Sequence, residues 1–213
     1  MTRQAGPESV PTELRGHGLT LIRGDRALFC DLDFRVAAGE LIVIEGANGS
    51  GKTSLLRVMA GLVQPQEGSV AWRGIDTARQ RQAYHDELVW MGHRPGFKGD
   101  LTISENLRVE AGLRRTRRAT TTTVLERLGL GSVCGLPFRV LSAGQQRRVA
   151  LARMLIADAT LWLMDEPFTN LDVSGQALVS ELLRGHLNDG GMAVVATHHE
   201  LTIGAPLQRI RLT

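Results

Sequence analysis

Apolar residues recur along this chain in two spacings, which together predict an alternation of strands and helices. Apolar and polar residues alternate from Leu28 to Val36, with Cys30 on the apolar side, as is typical of a half-buried antiparallel strand. A strand is also expected between the turns at Gly68 and Gly74, and a last short one around Ile210. Four unbroken apolar runs predict strands buried on both faces of a parallel sheet: residues 41–44, 88–91, 161–164 and 192–196.

Helices are predicted between these strands. Residues 52–62 carry a helical apolar stripe, and Thr102 with Glu105 offers a capping box for a helix that ends near Leu113. Ser142 is expected to cap another helix, and residues 172–187 form a further one. The sequence therefore predicts an α/β fold with a mixed sheet core and an antiparallel β portion. Its expected divisions are a flexible tail over 1–16 and a single domain over 17–213, with an inserted helical subdomain over about 95–158.

Composition limits the class of protein without naming an activity. The chain has 213 residues, 43% hydrophobic and 22% charged, as in ordinary globular domains. The densest basic run, 114–118, is either a solvated helix face or a contact for anionic lipid heads. Cys30 and Cys134 match no metal or haem-attachment spacing and are expected to be reduced, buried thiols. No apolar run approaches the ~20 residues that span a bilayer and no signal peptide is recognised, so we expect a cytosolic chain unless another protein holds it at a membrane.

A glycine-rich loop follows the first buried strand and leads into a helix. Its backbone N–H groups over 48–53 are expected to cradle a nucleotide phosphate at the positive end of the helix dipole. Lys52 would neutralise β- and γ-phosphate oxygens, and Thr53 would place its hydroxyl on Mg²⁺. The expected phosphate-loop residues are Gly46, Ala47, Asn48, Gly49, Ser50, Gly51, Lys52 and Thr53.

Candidate catalytic residues follow two of the other buried strands. Asp165 ends the run 161–164 and is expected at the same sheet edge as the glycine loop, where it would bind the metal through water. Glu166 is expected to act as general base on an attacking water, and His198 to hold that water in line. The Asp-Glu pair alone could equally be a solvated turn. His198 and His199 could suggest a metal site, but adjacent side chains diverge and no third ligand is evident.

Two further phrases carry a family resemblance. Residues 141–148, Leu-Ser-Ala-Gly-Gln-Gln-Arg-Arg, look like the signature motif of the ATP-binding cassette (ABC) ATPases, and Thr169–Asp172 resembles their D-loop. The resemblance covers about residues 17–212 and implies the P-loop NTPase fold of ABC ATPases. It also implies a homodimer in which Ser142, Gly144 and Gln145 of one copy contact ATP bound by the other, with Mg²⁺ as cofactor.

Several stretches narrow the resemblance further. Residues 84–98, 101–107, 142–153 and 159–172 closely resemble the ATPase subunit family of the cytochrome c maturation system, the haem exporter of bacterial inner membranes. This implies an ATP-hydrolysing, energy-coupling subunit of a transporter in c-type cytochrome biogenesis, serving haem export or release of a haem-loaded chaperone. It also implies a peripheral location on the cytoplasmic face of the inner membrane. Integral membrane subunits of the same system are the implied partners, contacted through segment 93–110.

The chain departs from the wider ABC pattern at two places. Most ABC ATPases stack adenine on an aromatic residue, but residues 21–24 read Leu-Ile-Arg-Gly, where only Arg23 could stack. The glutamine expected after the strand 88–91 is also missing, and Gly92-His93-Arg94-Pro95 stands there.

The sequence leaves one alternative function open and argues against a second. The chain could energise another ABC exporter, for lipid, drug or polysaccharide. ABC proteins that act on nucleic acid or ribosomes usually carry two cassettes or a long coiled coil, whereas this chain has one uninterrupted cassette. No nucleic-acid partner is therefore expected.

Overall fold

A computed structural model describes residues 11–117 and 120–213. The expected tail over residues 1–16 lies outside the described residues except at its end, as does Arg118 of the basic run. There the boundary is wrong, because the first strand begins at Glu13, where Leu14 is fully buried and the exposed Arg15 faces away. The buried leucine gives these residues a place in the core, so the folded region starts four residues earlier than predicted.

An antiparallel sheet forms one layer. Its four strands are β1 (Glu13–Arg23), β2 (Arg26–Ala37), β4 (Glu67–Trp72) and β5 (Ile75–Asp76). They lie in the order β2-β1-β4-β5, and every pairing is antiparallel. This confirms the antiparallel β portion of the predicted fold.

A parallel sheet forms the central layer. Its five strands are β3 (Leu41–Glu45), β6 (Leu88–Met91), β7 (Leu161–Asp165), β8 (Met192–Ala196) and β9 (Leu207–Arg211). They lie in the order β6-β7-β8-β3-β9, and β3 pairs in parallel with both β8 and β9. All four predicted apolar runs are strands of this sheet, and the carboxyl ends of β3, β7 and β8 meet at one edge.

Six α-helices and two short 3₁₀ helices, Gly131–Val133 and Phe138–Val140, lie among the described residues; the α-helices are labelled in chain order. They are α1 (Lys52–Met59), α2 (Arg81–Asp86), α3 (Ile103–Leu113), α4 (Thr121–Arg127), α5 (Ala143–Ile156) and α6 (Val173–Asn188). The predicted capping box at Thr102 is present, and the predicted cap at Ser142 also forms one, since each side chain accepts from the N–H of the third helical residue. α3, α4 and α5 fall within 95–158 with no strand of either sheet among the described residues there. The division of that region into a separate subdomain stays a prediction.

Two hydrophobic clusters cover the two faces of the parallel sheet. Val43 and Trp162 belong to the cluster that includes α3, α5 and α6, whereas Ile42 and Leu163 belong to the cluster shared with α1 and the antiparallel sheet. Alternate residues of each strand thus point into different cores, which explains why these strands are unbroken apolar runs. The parallel sheet is held from both sides, so its edge is a rigid platform for a site.

One expectation on β2 is wrong, because Cys30 is exposed and Phe29 is buried. Leu19 and Leu21 of β1 face Leu32 and Phe29 of β2, so two residues on β2, Cys30 and Asp31, oppose one on β1. Asp31 lies in the left-handed region with φ 46° at this bulge. The extra residue reverses the alternation, which turns the thiol outward. Cys134 is half-buried.

Candidate functional site

The phosphate loop joins β3 to α1 at the carboxyl edge of the parallel sheet. Gly51 is the N-cap of α1 with φ 106°, a backbone conformation that favours glycine. Lys52 folds back over the loop, where its Nζ donates to the carbonyl oxygens of Gly46 at 2.7 Å and Ala47 at 3.1 Å. A Cβ on Gly46 would lie 2.5 Å from the Leu212 carbonyl oxygen, so only glycine fits there. The loop therefore has the shape and charge of an anion cradle.

Oxygen donors suited to a divalent cation lie beside the loop. Thr53 Oγ1 donates to Asp165 Oδ2 at 2.8 Å, and Asp165, at the end of β7, is buried. A hydroxyl and a carboxylate are hard oxygen ligands, and Mg²⁺ is typically held by one or two such groups plus water and phosphate. Among the described residues no group of three His, Cys, Asp or Glu could form a complete metal site. The donors present fit Mg²⁺ bound together with a nucleotide.

Glu166 and His198 approach each other across the ends of β7 and β8. His198 Nδ1 lies 3.1 Å from Glu166 Oε2, and the Glu166 side chain is 15% exposed, against 77% for His198. Glu166 has φ 49°, unusual for a residue with a side chain, and its N–H donates to the Ala196 carbonyl at 2.8 Å. Such strain is typical of functional sites, where the surroundings hold a side chain in one orientation.

These groups surround one cavity of about 470 Å³. The cavity joins Lys52, Thr53, Asp165, Glu166 and His198, so the structure brings the expected phosphate, metal and catalytic residues together. Its lining residues are Leu28, Asn48, Gly49, Gly51, Lys52, Thr53, Ser54, His93, Asp165, Glu166, Thr169 and His198.

Leu28, His93 and Thr169 line the cavity although none was selected as a site residue from the sequence. No Phe, Tyr or Trp belongs to the described lining, and Leu28 is its one aliphatic side chain. A Cβ on Gly51 would lie 3.1 Å from Leu28 Cβ, so Leu28 packs directly on the phosphate loop. Arg23 does not line the cavity. His93 lies in the stretch that replaces the missing glutamine, and this position in the sequence could have indicated that His93 lines the site.

The sequence also missed the role of Arg147, a buried residue of α5. Its guanidinium donates to the carbonyl oxygens of Asp165 at 2.7 Å, Gly92 at 3.0 Å and Pro167 at 3.3 Å, and also to that of Glu166. Burial lowers the pKa of Arg147 to about 10, against the opposing attraction of Asp165 and Glu166. The sequence places Arg147 in the signature motif but does not show these contacts, because its carbonyl partners come from segments distant in the chain.

The remaining signature residues do not reach the cavity of their own chain. Ser142 is exposed, and its side chain and that of Gln145 close the capping box of α5. Gly144 is half-buried, and a Cβ there would lie 3.2 Å from the Asn170 carbonyl oxygen. Ser142, Gly144 and Gln145 thus form a surface at the start of α5, apart from the phosphate loop.

The two adjacent histidines have different partners. His198 faces Glu166, whereas the His199 ring stacks on Phe168 with centroids 4.7 Å apart. The His199 N–H donates to the Thr197 hydroxyl at 2.9 Å. One histidine therefore faces the cavity and the other packs behind it.

Comparison with known sequences identifies a family and close relatives. A family model described as "ABC transporter" matches residues 29–169. A Methylococcus capsulatus protein named "Cytochrome c biogenesis ATP-binding export protein CcmA" is 49% identical over 94% of this chain and 98% of its own length. A protein of the same name from Escherichia coli strain K12 is 42% identical over 94% of this chain and 96% of its own length.

Solved structures show the same fold at lower identity. A dimeric ATP-binding cassette in a post-hydrolysis state, bound to ADP and Pi, superposes with a TM-score of 0.77 at 24% identity, over 87% of this chain and 88% of that chain. A bacterial Atm1-family ABC exporter with ATP bound gives a TM-score of 0.81 at 21% identity, over 95% of this chain and 38% of that chain. At these identities the likeness shows the fold alone, and it confirms the predicted ABC ATPase architecture.

Proposed function

This chain belongs to the ABC transporter ATP-binding family, in the branch whose curated members are named cytochrome c biogenesis ATP-binding export protein CcmA, and from that premise we propose that it is the ATP-hydrolysing subunit of a transporter serving c-type cytochrome biogenesis. The observation that carries the proposal is the single cavity that joins the phosphate loop to Asp165, Glu166 and His198. The residues of the cavity support ATP hydrolysis, and the relatives support a role in cytochrome c biogenesis.

The phosphate loop binds the triphosphate of ATP in this proposal. Lys52 Nζ exchanges its bonds to the Gly46 and Ala47 carbonyls for phosphate oxygens, and the N–H groups at the start of α1 hold the β-phosphate. The Thr53 hydroxyl and, through water, the Asp165 carboxylate would hold Mg²⁺. When bound, Mg²⁺ supplies positive charge against the phosphate oxygens.

Glu166 and His198 are the proposed hydrolytic residues. The Glu166 carboxylate accepts the proton of the attacking water as general base. His198 lies close enough to Glu166 to orient the same water, and its exposed ring is free to reach the terminal phosphate. The strained backbone at Glu166 fixes where its carboxylate stands before the nucleotide arrives.

A second copy of the chain completes the site. Ser142, Gly144 and Gln145 lie outside the cavity of their own chain, at the amino end of α5. A helix amino end presents free N–H groups and a positive dipole, which suit the γ-phosphate held by another copy. ATP then closes a homodimer between two half-sites, and hydrolysis reopens it.

The process served is haem export, or release of a haem-loaded chaperone, in c-type cytochrome assembly. Integral membrane subunits of that system are the proposed partners, contacted through segment 93–110 at the cytoplasmic face of the bacterial inner membrane. None of the helices in residues 11–117 and 120–213 combines the length and apolarity needed to cross a bilayer. A membrane position would therefore come to the described part of the chain through those partners.

The hydrolytic assignment is tested with Glu166→Gln in purified protein. ATP binding should persist while turnover falls by ~10²–10⁴-fold, because a positioned base is lost. Glu181→Gln, an exposed glutamate on α6 paired with Arg127, is the matched control and should retain turnover. Wild-type turnover in Glu166→Gln would refute the assignment of the general base.

The cellular role is tested by deleting the gene and staining membrane fractions for covalently bound haem. Loss of c-type cytochromes, restored by the wild-type gene and not by Glu166→Gln, is expected. Normal cytochromes in the deletion strain would reject the role in cytochrome c biogenesis and leave the ATPase in place, serving another exporter.

A further inference from the structure

Arg147 joins two parts of the molecule that are far apart in sequence. One of its N–H groups donates to the carbonyl of Gly92, which begins the loop after β6. Others donate to the carbonyls of Asp165, Glu166 and Pro167, which follow β7. A single side chain thus connects Gly92, the residue just before the proposed partner-contact segment 93–110, with the backbone that carries the general base.

The bonds made by Arg147 are unusual for a buried charge. Only 4% of the residue is exposed, and within the described residues its hydrogen bonds go to backbone carbonyls, while Asp165 and Glu166 attract its charge without a direct ion pair. Burying a charge is costly unless hydrogen bonds replace its hydration, so the carbonyls are held tightly around the guanidinium. If one of these carbonyls moves, the guanidinium must move with it to keep the hydrogen bond, and the other carbonyls must adjust in turn.

Glu166 is the residue most sensitive to this arrangement. Its backbone is in the left-handed region, and its own carbonyl is one of the four that Arg147 binds. Its N–H is held by Ala196 of β8, so the Glu166 peptide groups are fixed from both sides. Arg147 hydrogen-bonds both to the carbonyl of Glu166 and to the carbonyl of Gly92, so it links this peptide to the Gly92 loop in addition to the β6–β7 pairing that ends at Met91 and Met164.

We propose that Arg147 is a positioning residue that sets the orientation of Glu166 according to the position of the Gly92 loop. Contact of a membrane subunit with that loop is then transmitted to the hydrolytic step through one guanidinium. The inference rests on the proposed function, since it assumes that Glu166 is the general base.

The first test compares Arg147→Met with wild type in ATP binding and in turnover. Methionine keeps an apolar stem of similar length and removes all the hydrogen bonds. We expect kcat to fall at least about 10²-fold while the ATP dissociation constant changes by less than about threefold, because the phosphate loop is untouched. A structural role alone would lower the fraction of protein that binds ATP and leave kcat per bound nucleotide unchanged.

The control is Arg114→Met. Arg114 donates to the carbonyl of Leu88, at the opposite end of β6, and it lies outside the cavity. Turnover per bound ATP should remain near the wild-type value. Arg147→Lys keeps the charge and part of the bonding, so it should recover part of kcat.

The second test examines the connection itself by a double-mutant cycle with Gly92→Ala. A Cβ on Gly92 would lie 2.7 Å from Trp90 Nε1, so the Trp90 ring or the loop must shift. Gly92→Ala should lower kcat, and its effect should be largely lost in the Arg147→Met background, because the link is already cut. Additive effects, or a normal kcat in Arg147→Met, would overturn the proposal. The Arg147→Met comparison and the double-mutant cycle are both independent of the Glu166→Gln experiment, which tests the general base separately.

Discussion

His186 gives a quantitative prediction about the stability of the fold that supports the site. It lies on α6, is 3% exposed, and its ring stacks on Trp162 with centroids 4.1 Å apart. Its Nε2 bonds to the Met192 carbonyl of β8 at 3.1 Å. Burial lowers the pKa of His186 to about 4, from an ordinary value of 6.5.

The sign of the pH effect follows from this lowered pKa. Between pH 6.5 and 4 the unfolded chain binds a proton that the folded chain refuses, so stability is present above pH 6.5 and is lost as pH falls. From the two pKa values, the loss is about 2 kcal/mol at pH 5 and about 3 kcal/mol at pH 4. For a chain of this length, a loss of 2 kcal/mol lowers Tm by roughly 4–8 °C.

The assay is urea unfolding of wild type and His186→Gln at pH 8 and pH 5. Glutamine does not titrate, so the difference isolates His186 from other groups that respond to pH. At pH 8 the variant should be less stable by ~1–3 kcal/mol, since stacking and one buried hydrogen bond are lost. At pH 5 that difference should shrink or reverse, by about 2 kcal/mol. Parallel pH profiles, or an imidazole midpoint near 6.5 by NMR, would refute the reasoning.

Two other predictions concern the nucleotide. Ser142→Asp keeps a capping side chain on α5 but places a carboxylate toward the γ-phosphate of the other copy. Made in the Glu166→Gln background, it should abolish the ATP-dependent dimer that gel filtration detects. Thr120→Asp, which changes the N-cap of α4 in the same way, should leave the dimer intact. Dimerisation that survives Ser142→Asp would contradict the composite site. Leu28→Ala should weaken ATP binding by roughly 3–10-fold, because the aliphatic contact beside the loop is lost, and should leave the binding of inorganic tripolyphosphate unchanged. Leu32→Ala, also half-buried on β2, is the control. An equal loss of binding for ATP and tripolyphosphate would refute a contact between Leu28 and the nucleoside.

Much of the fold could be predicted because the pattern reflects burial. The runs at Leu41–Ile44 and Leu161–Met164 are apolar on both faces since each strand contacts two cores, and no other arrangement explains them so simply. β1 was largely missed because it alternates irregularly, with register shifts against β2 between Gly16 and Ile22. The exposed Cys30 was missed for the same reason, since a bulge has no signature in hydrophobicity alone.

The site divides in a similar way. Lys52, Thr53 and Asp165 could be located from sequence because strand ends and a helix start must converge at one edge of a parallel sheet. Leu28 and Arg147 could not, because their positions depend on contacts between distant segments. Arg147 stands between Gln146 and Arg148 in the sequence, and only the fold reveals the four carbonyls that surround it.

The order of the parallel strands has a consequence for synthesis of the protein. β3, which leads into the phosphate loop, pairs with β8 on one side and β9 on the other, and Leu41 pairs with both Ala193 and Leu207. A ribosome makes β3 before β8 and β9, so a nascent chain cannot complete the pairing of β3 until both later strands have been made. A product truncated before Met192 would therefore lack both strands that pair with β3, the strand that leads into the phosphate loop.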